Sequence, residues 1–379
     1  MMREPHQQIL RPDEDYREMG QWLERKGVRR VMLVCDQSIQ FLKIKDWFEK
    51  LKQSQGIEMT VFSDFQPNPR YESVCTGIQL FHEAACEAII AVGGGSALDV
   101  AKCIKLFANM EPGCDYLAQK IVPNSIPLMA VPTTAGTGSE ATRFAVIYRN
   151  GEKQSIADES AIPEAVVMDA STLQTLPPYQ KKATMLDAFC HAVESCWSVN
   201  ANEASMVYSH RAIREILRHM DGYLTGTSEG CEGMLWAAHR AGQAINITQT
   251  TAGHAMCYKL TSLYGIAHGH AAALCVTKLW KHMILTGQLD EKPNGWKSLR
   301  SVFEGLAAAM GADCMLEAAE KFQDVVDSLD LPQIAAREED YELLTRSVNP
   351  VRLKNNPVAL TEDTIEQLYR EILGQKESL

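Results

Sequence analysis

Residues 88–102 read AIIAVGGGSALDVAK. An apolar run of strand character enters three consecutive glycines, and a stretch with apolar residues at helical spacing leaves them. Glycine accepts backbone conformations that crowd other residues and lets another group come close to the main chain. Three in succession exceed what a strand-to-helix turn needs. A helix that opens there offers free amides and the positive end of its dipole, so the junction is expected to bind phosphate. A plain tight turn is the alternative. The pattern is not GxGxxG, so the usual Rossmann fingerprint is absent. Ser96 is expected to cap the helix, with Asp99 three residues on, as in a capping box.

Strand-like and helix-like runs alternate around this junction. Strands are expected over residues 28–35, 59–62, 88–92 and 127–131, and helices over 37–53, 70–86 and 96–109. A further strand over 144–148 runs into the turn pair Asn150-Gly151. Such alternation implies a mainly parallel sheet with helices on both faces. Near Leu176-Pro177-Pro178 the texture changes, and helical periodicity dominates over 182–197, 203–220, 231–247, 271–285, 296–310, 316–329, 340–347 and 362–373. The expected organisation is an α/β N-terminal domain with a mainly parallel sheet, 1–178, followed by an all-α C-terminal domain, 179–379.

The net charge of −11 argues against nucleic acid as a partner, because phosphate neutralisation needs a basic face. Eleven cysteines without a CxxC pair point to reduced thiols in a cytoplasmic protein. The N-terminal stretch MMREPHQQILRPDED lacks an apolar core, so no secretory signal is expected. No apolar run approaches the roughly 18 residues of a membrane span.

Three further stretches carry chemistry. Residues 131–140, VPTTAGTGSE, follow a strand end, and in an open α/β sheet ligands bind outside the carboxyl ends of the strands. Thr133, Thr134, Thr137 and Ser139 are placed there to bond phosphate and ribose oxygens; an ordinary polar loop is the alternative. Asp36 ends the first strand, where a carboxylate accepts from ribose hydroxyls and repels a 2′-phosphate, favouring NAD(H) over NADP(H). A turn-capping role is the alternative. In MLDAFCHAVES, Asp187 and His191 stand four residues apart, on one face of a helix. They make half of a metal site, and His254 and His268, in TAGHAMCYKLTSLYGIAHGH, are the candidates for the other half. Three imidazoles and a carboxylate suit Fe(II), Zn or Mn, and ligand type alone does not choose. Each of the ten histidines taken singly reads as an ordinary surface or core residue.

The motifs GGGSALDVAK, PTTAGTGSE, DAFCHAVES and GHAMCYKLTSLYGIAHGHA occur in register with a PNP turn at 67–69 and a terminal NPVALTEDTIEQLY. In this order and spacing the chain resembles the iron-containing (group III) alcohol dehydrogenases over nearly its whole length. The resemblance implies the architecture shared with dehydroquinate synthases: a dinucleotide-binding α/β domain, a helical metal domain and a cleft between them. It implies Asp187, His191, His254 and His268 as ligands of a divalent metal, Fe(II) foremost. It puts Asp36, Gly94, Gly95, Ser96, Asp99, Thr133, Thr134, Thr137, Lys153 and Leu176 near the dinucleotide. The activity implied is that of a metal-dependent, NAD(P)-linked alcohol dehydrogenase or aldehyde reductase, and homodimers are common in the family.

Two positions depart from the family pattern. Many relatives carry a histidine four residues after the third ligand, thought to relay protons; here it is Tyr258, the candidate catalytic group. The residue before the fourth ligand is usually proline and is Ala267 here. After SEAT, many relatives carry a small or apolar residue where this chain has Arg143, and Lys259 follows Tyr258. Two such cations suit an anionic substrate group. The stretches ATRFAVIY and YKLTSLYGI resemble phosphonoacetaldehyde reductases within the family. A small aldehyde with a phosphonate or sulfonate tail is therefore the expected substrate, with small neutral alcohols or diols as the alternative. For the residues themselves, Arg143 paired with Glu140 or a cofactor phosphate, and Lys259 in solvent, is the bland reading. His270 is expected beside the metal site and not as a ligand. A non-redox lyase of the dehydroquinate synthase kind would want more Lys, Arg and His converging on a polyanion. A non-catalytic protein that kept the fold fits poorly with an intact ligand set.

Overall fold

Six strands of the first half pair side by side and parallel in the order β1-β8-β5-β4-β2-β3. They are β1 (Gln8–Leu10), β2 (Arg30–Cys35), β3 (Glu58–Phe62), β4 (Ala88–Gly93), β5 (Leu128–Pro132) and β8 (Ala165–Val167). Between the last two, β6 (Phe144–Arg149) and β7 (Glu152–Ala157) form a separate antiparallel hairpin. The computed structural model describes residues 7–286, 288–293 and 295–375, so residues 1–6 of the stretch read for a secretory signal lie outside the described residues. The chain divides into two compact units, Met1–Leu176 and Pro177–Leu379. No helix among the described residues is long and apolar enough to cross a membrane.

In the first unit β4 and β5 are buried along their whole length, as expected of parallel strands covered on both faces. From β2 the chain steps to β3 on one side and then to β4 on the other. The order reverses there, and the carboxyl ends of β2 and β4 flank the crevice where open α/β sheets take ligands. The helices are α1 (Arg17–Arg25), α2 (Ile44–Gln55), α3 (Tyr71–Glu83) and α4 (Gly95–Phe107). The helix expected over 37–53 is split. Asp36 accepts the Ser38 amide and starts a 3-10 turn over Gln37–Phe41, and Leu42 is extended before α2 begins. A short acidic side chain that bonds its own backbone competes with a continuous helix. The hairpin turn follows its sequence signal, with positive φ at both Asn150 and Gly151. β1 is too short to register by periodicity; α1 does carry an apolar stripe, with Met19, Trp22 and Leu23 buried, over only nine residues.

The second unit holds α5 (Pro178–Trp197), α6 (Glu203–Thr225), α7 (Ser228–Thr248), α8 (Ala252–Tyr264), α9 (His268–Leu285), α10 (Leu299–Met310), α11 (Met315–Ser328), α12 (Glu338–Arg346), α13 (Pro350–Leu353) and α14 (Glu362–Ile372). One addition to the all-helical expectation is a parallel pair of two-residue strands, β9 (Ala335–Ala336) and β10 (Gly374–Gln375). Helix α8 is not anticipated by the sequence reading.

Helix α5 is the axis of this unit. Every residue from 185 to 198 is buried, and α6, α7, α9 and α10 all pack on it. A helical segment enclosed on every side belongs in a core. Its apolar positions meet aromatics: Phe189 lies edge-on to Phe322 at 4.8 Å and Trp197 edge-on to Trp280 at 5.5 Å. The polar residues it carries into that core must find partners. Ser195 does so with Ser209, at 2.6 Å between hydroxyls. Replacing the fully buried Phe322 with Ala is expected to destabilise the second unit by about 3–5 kcal/mol. A denaturant titration followed by tryptophan fluorescence measures this, and a loss below about 1 kcal/mol would show the aromatic cluster to be peripheral.

Candidate dinucleotide and metal sites

At the carboxyl ends of β4 and β5 the two small-residue loops meet. Helix α4 begins at Gly95 with Gly94 at its N-cap, and no side chain caps it. The expectation that Ser96 caps this helix is therefore corrected: Ser96 lies inside the first turn, because glycine itself takes the N-cap. The first amides are left without a side-chain acceptor. Gly93 has φ 158°, and a Cβ there would fall 2.5 Å from Ala97 Cβ. Cβ atoms on Gly94 and Gly95 would come within 3.1 Å of Thr134 Cγ2 and 3.0 Å of Thr137 Cγ2. The glycines thus admit the threonine loop as well as any ligand. Asp36 Oδ2 lies 3.8 Å from the Cβ position of Gly93, so the carboxylate stands beside the same turn. Thr133 is buried, and its amide donates to the Gly93 carbonyl.

Asp99 is not half of a capping box. Its Oδ1 accepts from Ser139 Oγ at 2.9 Å and its Oδ2 from the Val146 amide at 3.1 Å. Lys102, one turn on, is fully buried and was not singled out by the sequence reading. Its Nζ donates to Ser139 Oγ at 3.0 Å and to the carbonyls of Thr142 and Phe144, both at 2.8 Å. One face of α4 therefore holds the threonine loop and the hairpin from inside. Burial pushes the Asp99 carboxyl up to about 6 and the Lys102 amine down to about 8. A lysine in the apolar stripe of α4 is the signal that finds this role. Lys153, on β7, is near enough for its charge to favour the Asp99 carboxylate. Leu176 is the partly exposed last residue of the first unit. Arg143 pairs through Nη1 with Glu159 at 3.2 Å and covers the Phe144 ring at 4.8 Å.

In the second unit, α5 presents Asp187, His191 and Glu194 at helical spacing. Asp187 Oδ1 lies 3.5 Å from His254 Nε2, 3.8 Å from His191 Nε2 and 3.9 Å from His268 Nε2. One ligand atom each from Asp187, His254 and His268 falls within 4.8 Å of the others. His191 stands alongside, its ring stacked on that of His254 at 4.6 Å. Asp187 Oδ1 and His254 Nε2 are buried without a hydrogen-bond partner in the protein. Leaving such atoms unmatched costs roughly 1–3 kcal/mol each, so the four residues fit a divalent cation. Burial alone would raise Asp187; the surrounding imidazoles outweigh it and hold the carboxyl well below its ordinary range.

Glu194 sets which nitrogen of His254 is available. It is fully buried and hydrogen-bonds His254 Nδ1 through Oε2. Its Oε1 accepts from the Thr251 hydroxyl at 2.6 Å and from the amides of Thr251 and His254. With the proton on Nδ1, the Nε2 lone pair points at Asp187. Sequence reading passes over Glu194, though a third acid or imidazole at i+7 on a ligand helix is the signal for it.

Two glycines let His254 and His268 approach Asp187. A Cβ on Gly269 would fall 2.0 Å from the Ala183 carbonyl and 2.7 Å from Asp187 Cβ. One on Gly253 would fall 2.6 Å from Val276 Cγ2 and 3.0 Å from Glu194 Oε1. Helix α8 ends at Gly265, φ 70°, and His268 opens α9. Ala267 between them has φ −64°, the value a proline would fix. Its amide, however, donates to the Tyr179 hydroxyl at 3.0 Å, a bond proline cannot make. The same hydroxyl lies 3.1 Å from His270 Nδ1, so His270 is tied to Tyr179 and stands outside the ligand group.

Tyr258 stacks on His268, with ring centres 5.3 Å apart and planes at 21°. Its hydroxyl accepts from Arg352 Nη1 at 2.9 Å, and burial pushes the phenol well above its ordinary pKa. Lys259 follows on α8 and is partly exposed. Arg352 has no periodic signal in the sequence.

Replacing Glu194 with Gln keeps the side chain's shape and removes the carboxylate behind His254. Metal affinity, read by competition with a chromophoric chelator, is expected to fall about 10- to 100-fold. Affinity equal to that of the parent protein would show that Glu194 does not orient the ligand.

Residues 6–170 match the family described as iron-containing alcohol dehydrogenase, and 181–373 match the Fe-containing alcohol dehydrogenase family, C-terminal. The chain is 28% identical over 371 residues to alcohol dehydrogenase 4 of Schizosaccharomyces pombe, covering 94% of this chain and 85% of that protein. It is 28% identical over 316 residues to phosphonoacetaldehyde reductase of Streptomyces viridochromogenes, 79% of this chain and 80% of that one. The crystal structure of sulfoacetaldehyde reductase from Bifidobacterium kashiwanohense in complex with NAD+ shares the fold, with TM-score 0.84 at 23% identity and 98% coverage of both chains. With both halves matched in register, the chain belongs to the iron-containing alcohol dehydrogenases, oxidoreductases that act on CH–OH groups with a divalent metal and NAD(H).

Proposed function

We propose that the protein reduces a small aldehyde carrying an anionic tail, such as a phosphonate or sulfonate, to the alcohol with NADH, reversibly. The observation that carries the redox chemistry is the buried group of Asp187, His254 and His268, with Asp187 Oδ1 and His254 Nε2 lacking protein partners. With His191 these residues would hold the metal, for which we assign Fe(II), Zn and Mn suiting the same donors. A cation in that position supplies Lewis acidity toward a carbonyl oxygen. Glu194 keeps the His254 lone pair directed. His268 is the partly exposed member, with 37% of its side chain accessible, so substrate reaches the group on its side. The Tyr258 hydroxyl accepts from Arg352 and its ring lies on that of His268, which fits it to hand a proton to the alcohol oxygen.

In the first unit, the uncapped amides of α4 with Gly94, Gly95 and Ser96 suit the pyrophosphate, and Thr134 and Thr137 suit the neighbouring oxygens. Asp36 suits the ribose hydroxyls and so selects NADH over NADPH. Thr133, Asp99 and Lys102 support that surface from behind, and Lys153 and Leu176 complete its rim. The anionic tail is favoured by the likeness to phosphonoacetaldehyde reductase and by the cation Lys259 next to Tyr258. A second reading, small neutral alcohols, is favoured by the pairing of Arg143 with Glu159, which matches that charge.

Oxidation of NADH and NADPH is to be followed with propanal, phosphonoacetaldehyde and sulfoacetaldehyde under Fe(II), Zn and Mn. Faster turnover of NADH with the two anionic aldehydes is expected; no oxidation with any aldehyde would overturn the proposal. His268→Ala is expected to abolish turnover and sharply weaken metal binding, and an active, fully metallated variant would remove it from the ligand set. Asp36→Gly is expected to narrow the preference for NADH over NADPH at least about tenfold, read as a ratio of kcat/KM. An unchanged ratio would return Asp36 to a turn-capping role.

A further inference from the structure

The second unit contains a cation that the chemistry above uses only as a neighbour. Arg352 sits on the four-residue α13, which packs against α8, the helix of His254, Tyr258 and Lys259. Its Nη1 donates to the Tyr258 hydroxyl at 2.9 Å, and its guanidinium lies 4.9 Å from the centre of the Tyr258 ring, the ring that stacks on His268. A guanidinium has five N–H donors in a planar fork, and here one is used by a side chain. Among the described residues no carboxylate pairs with it. The other arginines of the same stretch do pair: Arg337 with Glu339 and Asp340, Arg346 with Glu342, and Arg370 with Glu338 and Glu366. Arg352 alone in this stretch is partly buried, aimed at a residue that touches a metal-ligand candidate, and left without a counter-ion.

The segment that carries it is firmly seated. Asn349 Oδ1 accepts the Val351 amide at 2.8 Å. The Asn355 carbonyl accepts the Val199 amide at 3.0 Å, and Asn355 Nδ2 donates to the Thr250 carbonyl at 3.1 Å. Asn356 is buried and bonds the Val358 carbonyl at 2.7 Å. These contacts tie the C-terminal flank of α13 to the end of α5 and to the turn before α8, while Asn349 caps its start, so the guanidinium is presented from a fixed base. A fork-shaped cation with open donors fits the tetrahedral oxyanion of a phosphonate or sulfonate through paired N–H···O bonds.

We propose that Arg352, steadied by Tyr258 beside His268, is the residue that binds the substrate's anionic tail and sets the preference for oxyanion-bearing aldehydes. This rests on the anionic-aldehyde reading above and moves the recognition role away from Arg143, whose charge Glu159 already meets.

The test uses the metal-loaded, full-length protein and its Arg352→Gln, Arg352→Lys and Arg346→Gln variants. The ratio of kcat/KM for phosphonoacetaldehyde to that for propanal is expected to fall about 10- to 100-fold in Arg352→Gln, mainly through KM. Arg352→Lys is expected to recover part of it, since charge is kept and the fork is lost. Arg346→Gln, on a surface pair with Glu342, leaves the ratio where it was. Methylphosphonate binding, followed by calorimetry, is expected in the parent protein and lost in Arg352→Gln. A variant that lowers both substrates equally would reduce Arg352 to a prop for Tyr258. A parent that prefers the anionic aldehyde while Arg352→Gln keeps both the ratio and methylphosphonate binding would place the anion site elsewhere and overturn this assignment alone. A parent that turns over both aldehydes equally and binds no methylphosphonate would overturn the anionic-aldehyde reading and this assignment together.

Discussion

A carboxylate in the middle of a helical core has to be answered by its neighbours, and Asp187 is such a carboxylate. It is 3% exposed on a helix buried on all sides. An isolated charge there is costly, and the second unit is built so that it is not isolated. Three imidazoles from α5, α8 and α9 face it. Behind one of them a chain of hydrogen bonds runs from the Trp197 indole through Thr251 to Glu194 and on to His254. Each member orients the next, so an indole in the aromatic core helps to hold the carboxylate behind His254. Packing and chemistry meet in the same helix.

The first unit solves a related problem with opposite charge. A strand-to-helix turn that exposes amides for a ligand cannot also use them to hold its neighbouring loop. Lys102 does that holding from within the helix, gathering carbonyls of the threonine loop and the hairpin, while Asp99 takes a hydroxyl and an amide from the same segments. A buried cation and a buried anion on one face of α4 leave its N-terminal end uncommitted. In both units buried charged residues, Lys102 and Asp99 in one and Glu194 in the other, hold the segments on which the candidate site groups stand.

How much of this is legible in the sequence depends on the range of the interaction. Strand–helix alternation and the i,i+4 pair of Asp187 and His191 are local patterns, and both give the right elements. Helix α8 is hidden because two glycines bracket it. In the structure they stand where they do no harm to a helix, Gly253 in the first turn and Gly265 at the cap. Ser96 looks like a cap only if the helix starts two residues later than it does. Glu194 and Lys102 look like ordinary helix residues, because their partners lie more than thirty positions away in the chain. Arg352 lies in an Asn- and Pro-rich stretch with no periodicity at all, and only the fold brings it to Tyr258.

The Ala267–Tyr179 contact has a consequence for how such chains change over evolutionary time. Proline at this position fixes the backbone ahead of the last histidine by its ring, and alanine leaves the same angle to a hydrogen bond. Ring and hydrogen bond cannot occur together, since proline has no amide to donate, while the Tyr179 hydroxyl has His270 Nδ1 as a second partner. Where residue 267 is not proline, an acceptor at position 179 takes over part of the restraint by holding the amide that the ring would have removed. The effect of a substitution at either position therefore depends on the residue at the other, through one amide.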